Sequence, residues 1–562
     1  MGDMRKLGPL LAVSLMSMSA ASATAAAMEN EGALSNKELI DIIRQQHAEI
    51  AQLQKDFRQL SERLHDADAV RKPAAAAAAQ AAPGGDAEGG KSDPGAPKMP
   101  GTARIGKANV SLAGSWLEGV IAYRKHNEFA SASGSSVNTP FPNAANYHLR
   151  EMRIDTRGTR VSVSTFSDKF GEDEQLRGRL QLDFASVGNG NQNNGNWSPR
   201  LRQGWLMWDK NAAGWHFLAG QNWSLVTPGA NFMAANGGPG NDLGWTMRPG
   251  SENVFQQLDA FIPGYVGTRQ PQFRVVKDLM PGAALGFSVE NPSVAWGGTT
   301  AGITSAALSP AAAASGTSSS QLSPTGALGT YGSSGYLNTT GLADTPAFVL
   351  KGTWQPVSRL LLEGYGIVRN YRNMPGLAGP AGAGAVSTTA AGAGTYLKII
   401  PNKVDLSLSA SYGSLGGMDS SGAIPDVTTD STGKPVPVKS TGGWAGLYLY
   451  PSKELTVFAL AGYTRGHAAG ISSANGINYG YGNPANRNSG CGVLGGICNG
   501  NIDTALAMQI AANWRIYNGD KGQVMIQPQI SYIKETRFSD INGIRPAAGN
   551  LVINLGIRYF PF

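Results

Sequence analysis

The sequence has few of the features by which several large classes of proteins are recognised. After residue 27 no segment approaches the roughly 18 consecutive apolar residues that a membrane-spanning helix needs. Charged residues make up 15% of the chain and the net charge is +7, with no Lys/Arg run interleaved with aromatic residues. A helical membrane protein is therefore excluded, and we predict no nucleic-acid partner.

Cysteine is almost absent. Cys491 and Cys498 are the two cysteines, seven residues apart in a stretch rich in glycine and asparagine. In an exported protein such a pair closes a loop more often than it holds a metal ion. No histidine stands beside them, so we predict a disulfide, and we predict neither a metal nor a cofactor.

The first residues have the pattern of an export signal. Arg5 and Lys6 precede an apolar run from Leu7 to Met18, and small residues follow through Ala27. This order of charged, apolar and small residues is typical of a secretory signal peptide, which we place at 1–27.

Residues 35–70 have the pattern of a coiled coil. A capping box of Ser35 and Glu38 begins a run free of proline and glycine. Its seam alternates spacings of four and three: Leu39, Ile43, Gln46, Ile50, Leu53, Phe57, Leu60 and Leu64. The alternative is one amphipathic helix lying on its own domain, but this apolar stripe is narrow for that role. Mixed Ile and Leu do not choose between two, three and four strands.

The remainder divides into a tether and a long region of strands. Residues 71–106 are mostly alanine, proline and glycine with small charges, which predicts a flexible linker. From 107 to 562 about ten-residue runs of alternating polarity recur, and we count about sixteen of them. With 74 glycines and a mean hydropathy of -0.18, the composition suits strands and polar loops. We predict an all-β transmembrane barrel of about 16 antiparallel strands behind an N-terminal α-helical coiled coil.

The connections between these runs alternate strictly in length. Short turns at 209–214, 280–282, 355–358, 401–402, 451–454 and 518–522 separate long stretches such as 227–270, 292–344, 415–442 and 467–503. Short periplasmic turns and long outer loops are typical of an outer-membrane barrel. A soluble sandwich does not require this asymmetry.

The last run has one apolar face, from Leu551 to Tyr559 at every second residue, opposite Asn554 and Arg558. Phe562 resembles the terminal aromatic residue of outer-membrane barrels, although by parity it falls on the polar face.

If polar faces line a pore, basic residues there favour anions. The candidate pore-lining residues are Arg153, Arg157, Arg177, Arg179, Asp183, Arg274, Lys351, Arg369, Arg515 and Arg558. Opposing carboxylates are expected at Glu151, Asp155, Glu363 and Asp405. For any single arginine, a wall residue paired with a neighbouring carboxylate is an equal alternative.

The stretch 227–270 follows the fifth predicted strand, where trimeric porins fold an outer loop inward. It contains mixed charges and an aromatic residue that suit a constriction: Trp245, Arg248, Glu252, Asp259 and Arg269. An ordinary surface loop is the alternative interpretation.

The signal peptide, short coiled coil, low-complexity tether and strand pattern ending in GIRYFPF together resemble the DcaP-like trimeric outer-membrane porins. The resemblance spans the mature chain and rests on architecture. It implies a homotrimer in outer-membrane lipid, with a periplasmic coiled-coil stalk and passage of small anionic solutes, including dicarboxylates.

Two other functions compete with a pore. The barrel could serve as a structural anchor that ties the membrane to peptidoglycan through the coiled coil. A barrel enzyme is disfavoured, because only His216 of six histidines falls inside a predicted strand and no nucleophile and carboxylate are visibly arranged around it.

Overall fold

The structure is a computed structural model. It describes residues 102–127 except 107 and 113, 139–184, 199–228, 262–297 except 292, 293 and 296, 345–372 except 358, and 384–561 except 475. The predicted signal peptide, the whole coiled-coil seam and residues 71–101 of the predicted tether lie outside these residues, as does Phe562.

The described part of the chain is all-β. Its strands are β1 (Thr102–Ile105), β2 (Ala108–Ser111), β3 (Leu117–Arg124), β4 (Glu151–Asp155), β5 (Arg160–Ser167), β6 (Glu174–Asp183), β7 (Arg200–Lys210), β8 (Trp215–Trp223), β9 (Arg269–Met280), β10 (Ala283–Glu290), β11 (Ala347–Val357), β12 (Leu360–Arg372), β13 (Ala385–Ile400), β14 (Val404–Gly413), β15 (Val427–Thr429), β16 (Pro435–Pro437), β17 (Ser440–Leu449), β18 (Leu455–Gly466), β19 (Ala469–Ala474), β20 (Ile477–Tyr481), β21 (Ile502–Gly519), β22 (Gly522–Arg537) and β23 (Ala547–Phe560). Two short 3-10 helices, Ala145–His148 and Gly416–Met418, complete it. Among the described helices, neither has the length or the apolar character that crossing a membrane requires.

Nineteen strands belong to one antiparallel sheet, and two small hairpins, β15–β16 and β19–β20, lie in its connections. The first strands of the sheet are interrupted but keep one register. β2 pairs with β5 at Ser111↔Ser164, β3 pairs with β4 at Val120↔Asp155, and a single bridge joins Trp116 to Arg160 between them. The segments β2–β3 and β4–β5 therefore each act as one strand.

From β5 onward each strand of the sheet pairs with the next along the chain, passing over the two small hairpins, through to β23. β23 then pairs with β3, in the register Ile557↔Gly119. β1 adds to β2 outside this circuit. With two interrupted strands counted once each, the circuit has about sixteen strands, in agreement with the sequence pattern.

Connections between neighbouring strands alternate in length around the circuit, as predicted. Seven are tight, from β5–β6 to β21–β22, and the intervening ones are longer, from nine residues between β22 and β23 to 56 residues between β10 and β11. Two tight turns need left-handed backbone, at Gly282 (φ 81°) and Asn402 (φ 61°), and glycine and asparagine adopt it at least cost. Because the strands are antiparallel and the connections alternate in length, all tight turns lie at one end of the strands and all long connections at the other.

The two faces of the strands are inverted relative to a soluble protein. On β4 Met152 and Ile154 are 72% and 71% exposed, whereas Glu151 and Asp155, which flank them, are buried. The same pattern recurs around the circuit, including β21 to β23. Polar side chains therefore lie on the inner face of the circuit of strands, and large apolar side chains lie on its outer face.

Two strands include residues in which no alternation of polarity marks a strand. β13 starts at Ala385, although alternation is recognisable only from about residue 394, because its first residues are small and show no alternation of size or polarity. β1 lies within the last residues assigned to the tether, where it pairs with β2.

Candidate functional site

Nine of the ten predicted pore-lining residues lie on strands of the circuit, on the polar faces that point inward, and Arg157 lies in the turn between β4 and β5. Eight of the ten are buried: Arg157, Arg177, Arg179, Asp183, Arg274, Lys351, Arg369 and Arg558. Arg153 and Arg515 are half-buried. Arg515 lies at the tight-turn end, where its guanidinium donates to the carbonyl oxygen of Lys453 at 3.4 Å.

Most of these cations have a carboxylate on a nearby strand or connection. Salt bridges join Arg157 to Asp155 (2.6 Å), Arg177 to Asp209 (2.5 Å), Lys351 to Glu363 (2.9 Å), Arg369 to Asp426 (2.6 Å) and Arg153 to Glu151 (2.9 Å). A buried charge is tolerated when a partner and hydrogen bonds compensate its lost hydration. The wall-residue alternative therefore has direct support at these positions.

Arg274 differs, because its contacts are neutral oxygens: the Gln272 side chain at 2.9 Å and the Trp223 carbonyl at 2.5 Å.

An aromatic ring sits between two arginines where the first and last strands meet. The guanidinium carbons of Arg160 and Arg558 lie 3.9 and 5.0 Å from the ring centroid of Trp116. Arg558 also donates to the Glu118 carboxylate, a neighbour on the adjacent strand. These contacts place two stacked cations on one wall of the interior.

Basic residues are concentrated on the neighbouring strands β4 to β7 and the turn after β4. The arginines here are Arg153, Arg157, Arg160, Arg177, Arg179, Arg200 and Arg202, against the carboxylates Glu151, Asp155, Asp183 and Asp209. We call these residues the arginine sector. It carries a formal excess of positive charge.

Asp183 accepts hydrogen bonds from two arginines of the arginine sector. Arg200 donates to both of its oxygens, at 2.8 and 2.6 Å, and Arg202 donates to one at 2.5 Å. Arg179 instead donates to the Ser162 hydroxyl at 3.1 Å.

Of the predicted constriction residues, Trp245, Arg248, Glu252 and Asp259 lie outside the described residues, while Arg269 begins β9 and stacks on Trp223 at 5.2 Å.

The segment 262–268, which leads into β9, lies on the inner face of β17 and β18. Gly462 and Gly442 leave room for it: a Cβ on Gly462 would come within 2.1 Å of the Ile262 side chain, and one on Gly442 within 3.0 Å of the Gly264 Cα. Ile262 and Tyr265 pack with Trp444, Phe458 and other buried residues of β17, β18 and β21. The end of the long connection therefore turns back into the ring of strands.

A buried carboxylate in the connection after β14 holds this segment. Asp419 accepts hydrogen bonds from the Gly264 amide (2.7 Å), the Ser421 amide (2.8 Å) and the Ser421 hydroxyl (2.5 Å). Val266 forms a bridge with the same residue. Burial raises the pKa of Asp419 to about 6 despite these hydrogen bonds.

A second apolar cluster covers the neighbouring wall. Leu225 and Val226, at the start of the same long connection, pack with Leu415 and Met418 from the connection after β14 and with the inner faces of β9 to β13. Both ends of the long connection are thus fixed inside the ring. These contacts join segments far apart in the chain, so no local sequence pattern identifies the partners.

Solved structures of outer-membrane channels match the chain at TM-scores below 0.5. A channel, DcaP of Acinetobacter baumannii, matches at a TM-score of 0.49 and 17% identity, covering 81% of this chain and 97% of that one. An anion-selective porin from Comamonas acidovorans matches at 0.42 and 11% identity over 80% and 99% of the chains, and Salmonella typhi OmpF, in a complex with daunomycin, at 0.38 and 9% over 82% and 99%. No family model matches the sequence, and no curated protein matches it.

His216 has carboxylate partners that the sequence analysis did not expect. Its Nδ1 lies 2.6 Å from Asp209 and its Nε2 lies 3.1 Å from Asp278, at the tight-turn end of β7 to β9. With both ring nitrogens on carboxylates, the imidazole has no nitrogen left to take a proton from a nucleophile. Within the described residues no group of three His, Cys, Asp or Glu side chains is placed to hold a metal ion.

Cys491 and Cys498 form the predicted disulfide, in the long connection between β18 and β21. The loop that it closes is tied to another long connection, since the Asn143 amide donates to the Cys491 carbonyl at 3.1 Å and the Asn143 side chain donates to the Gly496 carbonyl at 3.0 Å. The bond therefore stabilises the long-connection end of the fold.

Proposed function

We propose that this chain is an outer-membrane porin: a closed barrel of about sixteen strands with a water-filled interior for passive uptake of small hydrophilic solutes. The observation that carries the proposal is the inversion of the two faces around the whole circuit of strands. Lipid takes the place of a second protein layer against the outward apolar side chains, and the paired strands leave few backbone groups unsatisfied in the bilayer.

The alternation of connections supports an orientation. Tight turns at one end and long connections at the other are the arrangement of barrels whose termini lie in the periplasm. We assign the long connections to the cell exterior and residues 35–70 to a periplasmic coiled coil after removal of 1–27. A homotrimer joined through that coiled coil is part of the proposal.

The arginine sector supports a preference for anions, including carboxylates and dicarboxylates. The arginine sector holds seven arginines and four carboxylates, and both Arg200 and Arg202 donate hydrogen bonds to Asp183. An interior wall with more cations than carboxylates lowers the free energy of an anion that passes it. The mixed ion pairs elsewhere reduce the effect of the other predicted lining residues.

Planar-bilayer recordings in a salt gradient test both parts of the proposal. We expect stepwise conductance with a reversal potential on the anion side, shifting toward equal permeability in the double variant Arg179→Gln, Arg202→Gln. Lys169→Gln, which removes an exposed cation on the β5–β6 turn, is the matched control and should keep the wild-type value. Cation preference in the wild type would refute the anion assignment, and a purified folded barrel that never conducts would refute the pore.

A further inference from the structure

One sector of the outward face carries an ordered transition from apolar to basic residues. It lies on the five consecutive strands β14, β17, β18, β21 and β22, at their long-connection ends. Three rows of directly paired residues cross it: Leu408, Ala445, Ala461, Met508 and Tyr532; then Ala410, Gly443, Tyr463, Leu506 and Lys534; then Tyr412, Thr441, Arg465, Thr504 and Thr536. Within about two residues of each strand the surface changes from hydrocarbon to cations and hydroxyls.

Two further basic residues stand just beyond the last row. His467 donates its backbone amide to the Lys439 carbonyl at 2.9 Å, which extends the pairing of β17 with β18. The Lys439 ammonium lies 5.8 Å from the centre of the Tyr412 ring, which is also in edge contact with the His467 imidazole at 6.0 Å. Nε2 of His467 is 2.9 Å from the Thr441 hydroxyl. The side chains are therefore organised around Tyr412 and Thr441.

The outer rim patch is defined as Tyr412, Lys439, Thr441, Arg465, His467 and Lys534. No member of the patch or of the three rows is a carboxylate. Arg465 keeps 54% of its side chain exposed while its Nε donates to Asp503 at 3.1 Å, and the Asp503 side chain is only 4% exposed. The anion thus lies behind the arginine rather than on the surface.

This combination matches the chemistry of phosphate esters. Lysine and arginine supply charge-assisted hydrogen bonds to phosphate oxygens, and threonine hydroxyls supply neutral ones. Tyrosines at the border of an apolar band are typical of the level at which lipid headgroups begin. A basic patch at that depth attracts anionic headgroups.

We propose that the outer rim patch binds the phosphate groups of a phosphorylated glycolipid in the outer leaflet. The inference rests on the proposed function for its membrane location and orientation. Arg465, Lys439 and Lys534 hold the phosphates, and the row of threonines faces the sugar hydroxyls. One sector of the barrel wall thereby recruits a particular lipid, whereas the rest of the wall meets hydrocarbon without selection.

The test compares two triple variants with the same loss of charge at opposite ends of the same group of strands. The first is Lys439→Gln, Arg465→Gln, Lys534→Gln. The second removes three exposed lysines from the tight turns at the other end of β13 to β22: Lys403→Gln, Lys453→Gln, Lys521→Gln. Folded protein, verified by heat-modifiable gel mobility, is titrated in detergent with lipopolysaccharide, its dephosphorylated form and phosphatidylcholine, and bound lipid is counted by native mass spectrometry.

We expect wild type and the tight-turn variant to bind lipopolysaccharide alike, and the rim variant to bind it about 100-fold more weakly, since each of the three cations near a headgroup contributes about fivefold. Equal binding by the rim variant, an equal loss in both variants, or unchanged binding of the dephosphorylated lipid would overturn the proposal. Competition by inorganic phosphate at the same concentration as the lipid would reassign the patch to free anions. Conductance is recorded for the rim variant separately, so a barrel that binds the lipid but never conducts contradicts only the pore.

Discussion

Replacing Gly264 by alanine tests whether segment 262–268 packs directly against the inner face of β17 and β18. Gly264 has φ 81°, and a Cβ built on it would lie 2.3 Å from the Gly443 amide nitrogen, 2.4 Å from the Gly443 carbonyl oxygen and 2.4 Å from the Tyr463 carbonyl oxygen. All three atoms are backbone, so none can rotate away. The segment must therefore lift from β17 and β18.

The cost has two parts. A left-handed conformation costs a residue with a Cβ about 1–2 kcal/mol, and overpacking against fixed backbone adds about 1–3 kcal/mol. Lifting the segment also weakens the hydrogen bond from the Gly264 amide to the buried Asp419 carboxylate. We expect a loss of about 2–5 kcal/mol in the free energy of unfolding, together with an altered single-channel conductance.

Gly543→Ala isolates the steric part. Gly543 has nearly the same backbone angle, φ 77°, but a Cβ there meets nothing within 4 Å. Unfolding in urea, followed by heat-modifiable mobility, should show the smaller loss for Gly543→Ala and no change in its conductance. Equal losses in the two variants, with equal conductance, would refute the close approach of segment 262–268 to the wall.

Three other perturbations have defined outcomes. Arg369→Met leaves the Asp426 carboxylate buried without its cation and should lower the free energy of unfolding by about 3–5 kcal/mol. Lys169→Met removes a cation from an exposed pair and should lower it by less than about 1 kcal/mol. The urea midpoints of the two variants measure this difference. Replacing both cysteines by serine should cost about 2–3 kcal/mol for so short a loop and speed cleavage of the loop by protease, with the strands intact. The pKa of Asp419 is raised from 3.8 to about 6 in the folded protein, so its contribution to stability is fully present below pH 4 and is lost as pH rises through 6. Asp419→Asn does not titrate, so its stability relative to wild type should improve by about 3 kcal/mol between pH 4 and pH 8, and a pH-independent difference would contradict the buried carboxylate.

The strand pattern was predictable because it is local. Alternation with a period of two and tight turns at fixed intervals can be recognised within about ten residues of sequence. The face of the sheet on which each side chain lies follows from the same alternation, so Glu151 and Asp155 lie on the face opposite Met152, as expected. β13 shows where this signal fails, because alanine, glycine and threonine fit either face and leave no alternation.

An inward fold of the stretch 227–270 was predicted, but the residues that segment 262–268 contacts were not predictable, because they lie across the ring of strands. Asp419 and Gly264 are 155 residues apart, and nothing in their local sequences marks them as partners. His216 is similar: Asp278 reaches it only because β8 and β9 pair in one particular register. Such sites appear only after every intervening strand has been placed.

The pairing of β23 with β3 has a consequence for assembly. The Arg558 guanidinium and the Glu118 carboxylate, which meet there, are 440 residues apart in the chain. Every other strand pair in the circuit forms between closer segments, so this junction has the largest separation to overcome and should form late. Until it forms, β3 and β23 are two open edges able to pair with the wrong strand. The buried Arg558–Glu118 pair then acts as a register check, because a slip of β23 by one residue would turn Arg558 to the outward face and leave the Glu118 carboxylate buried without it.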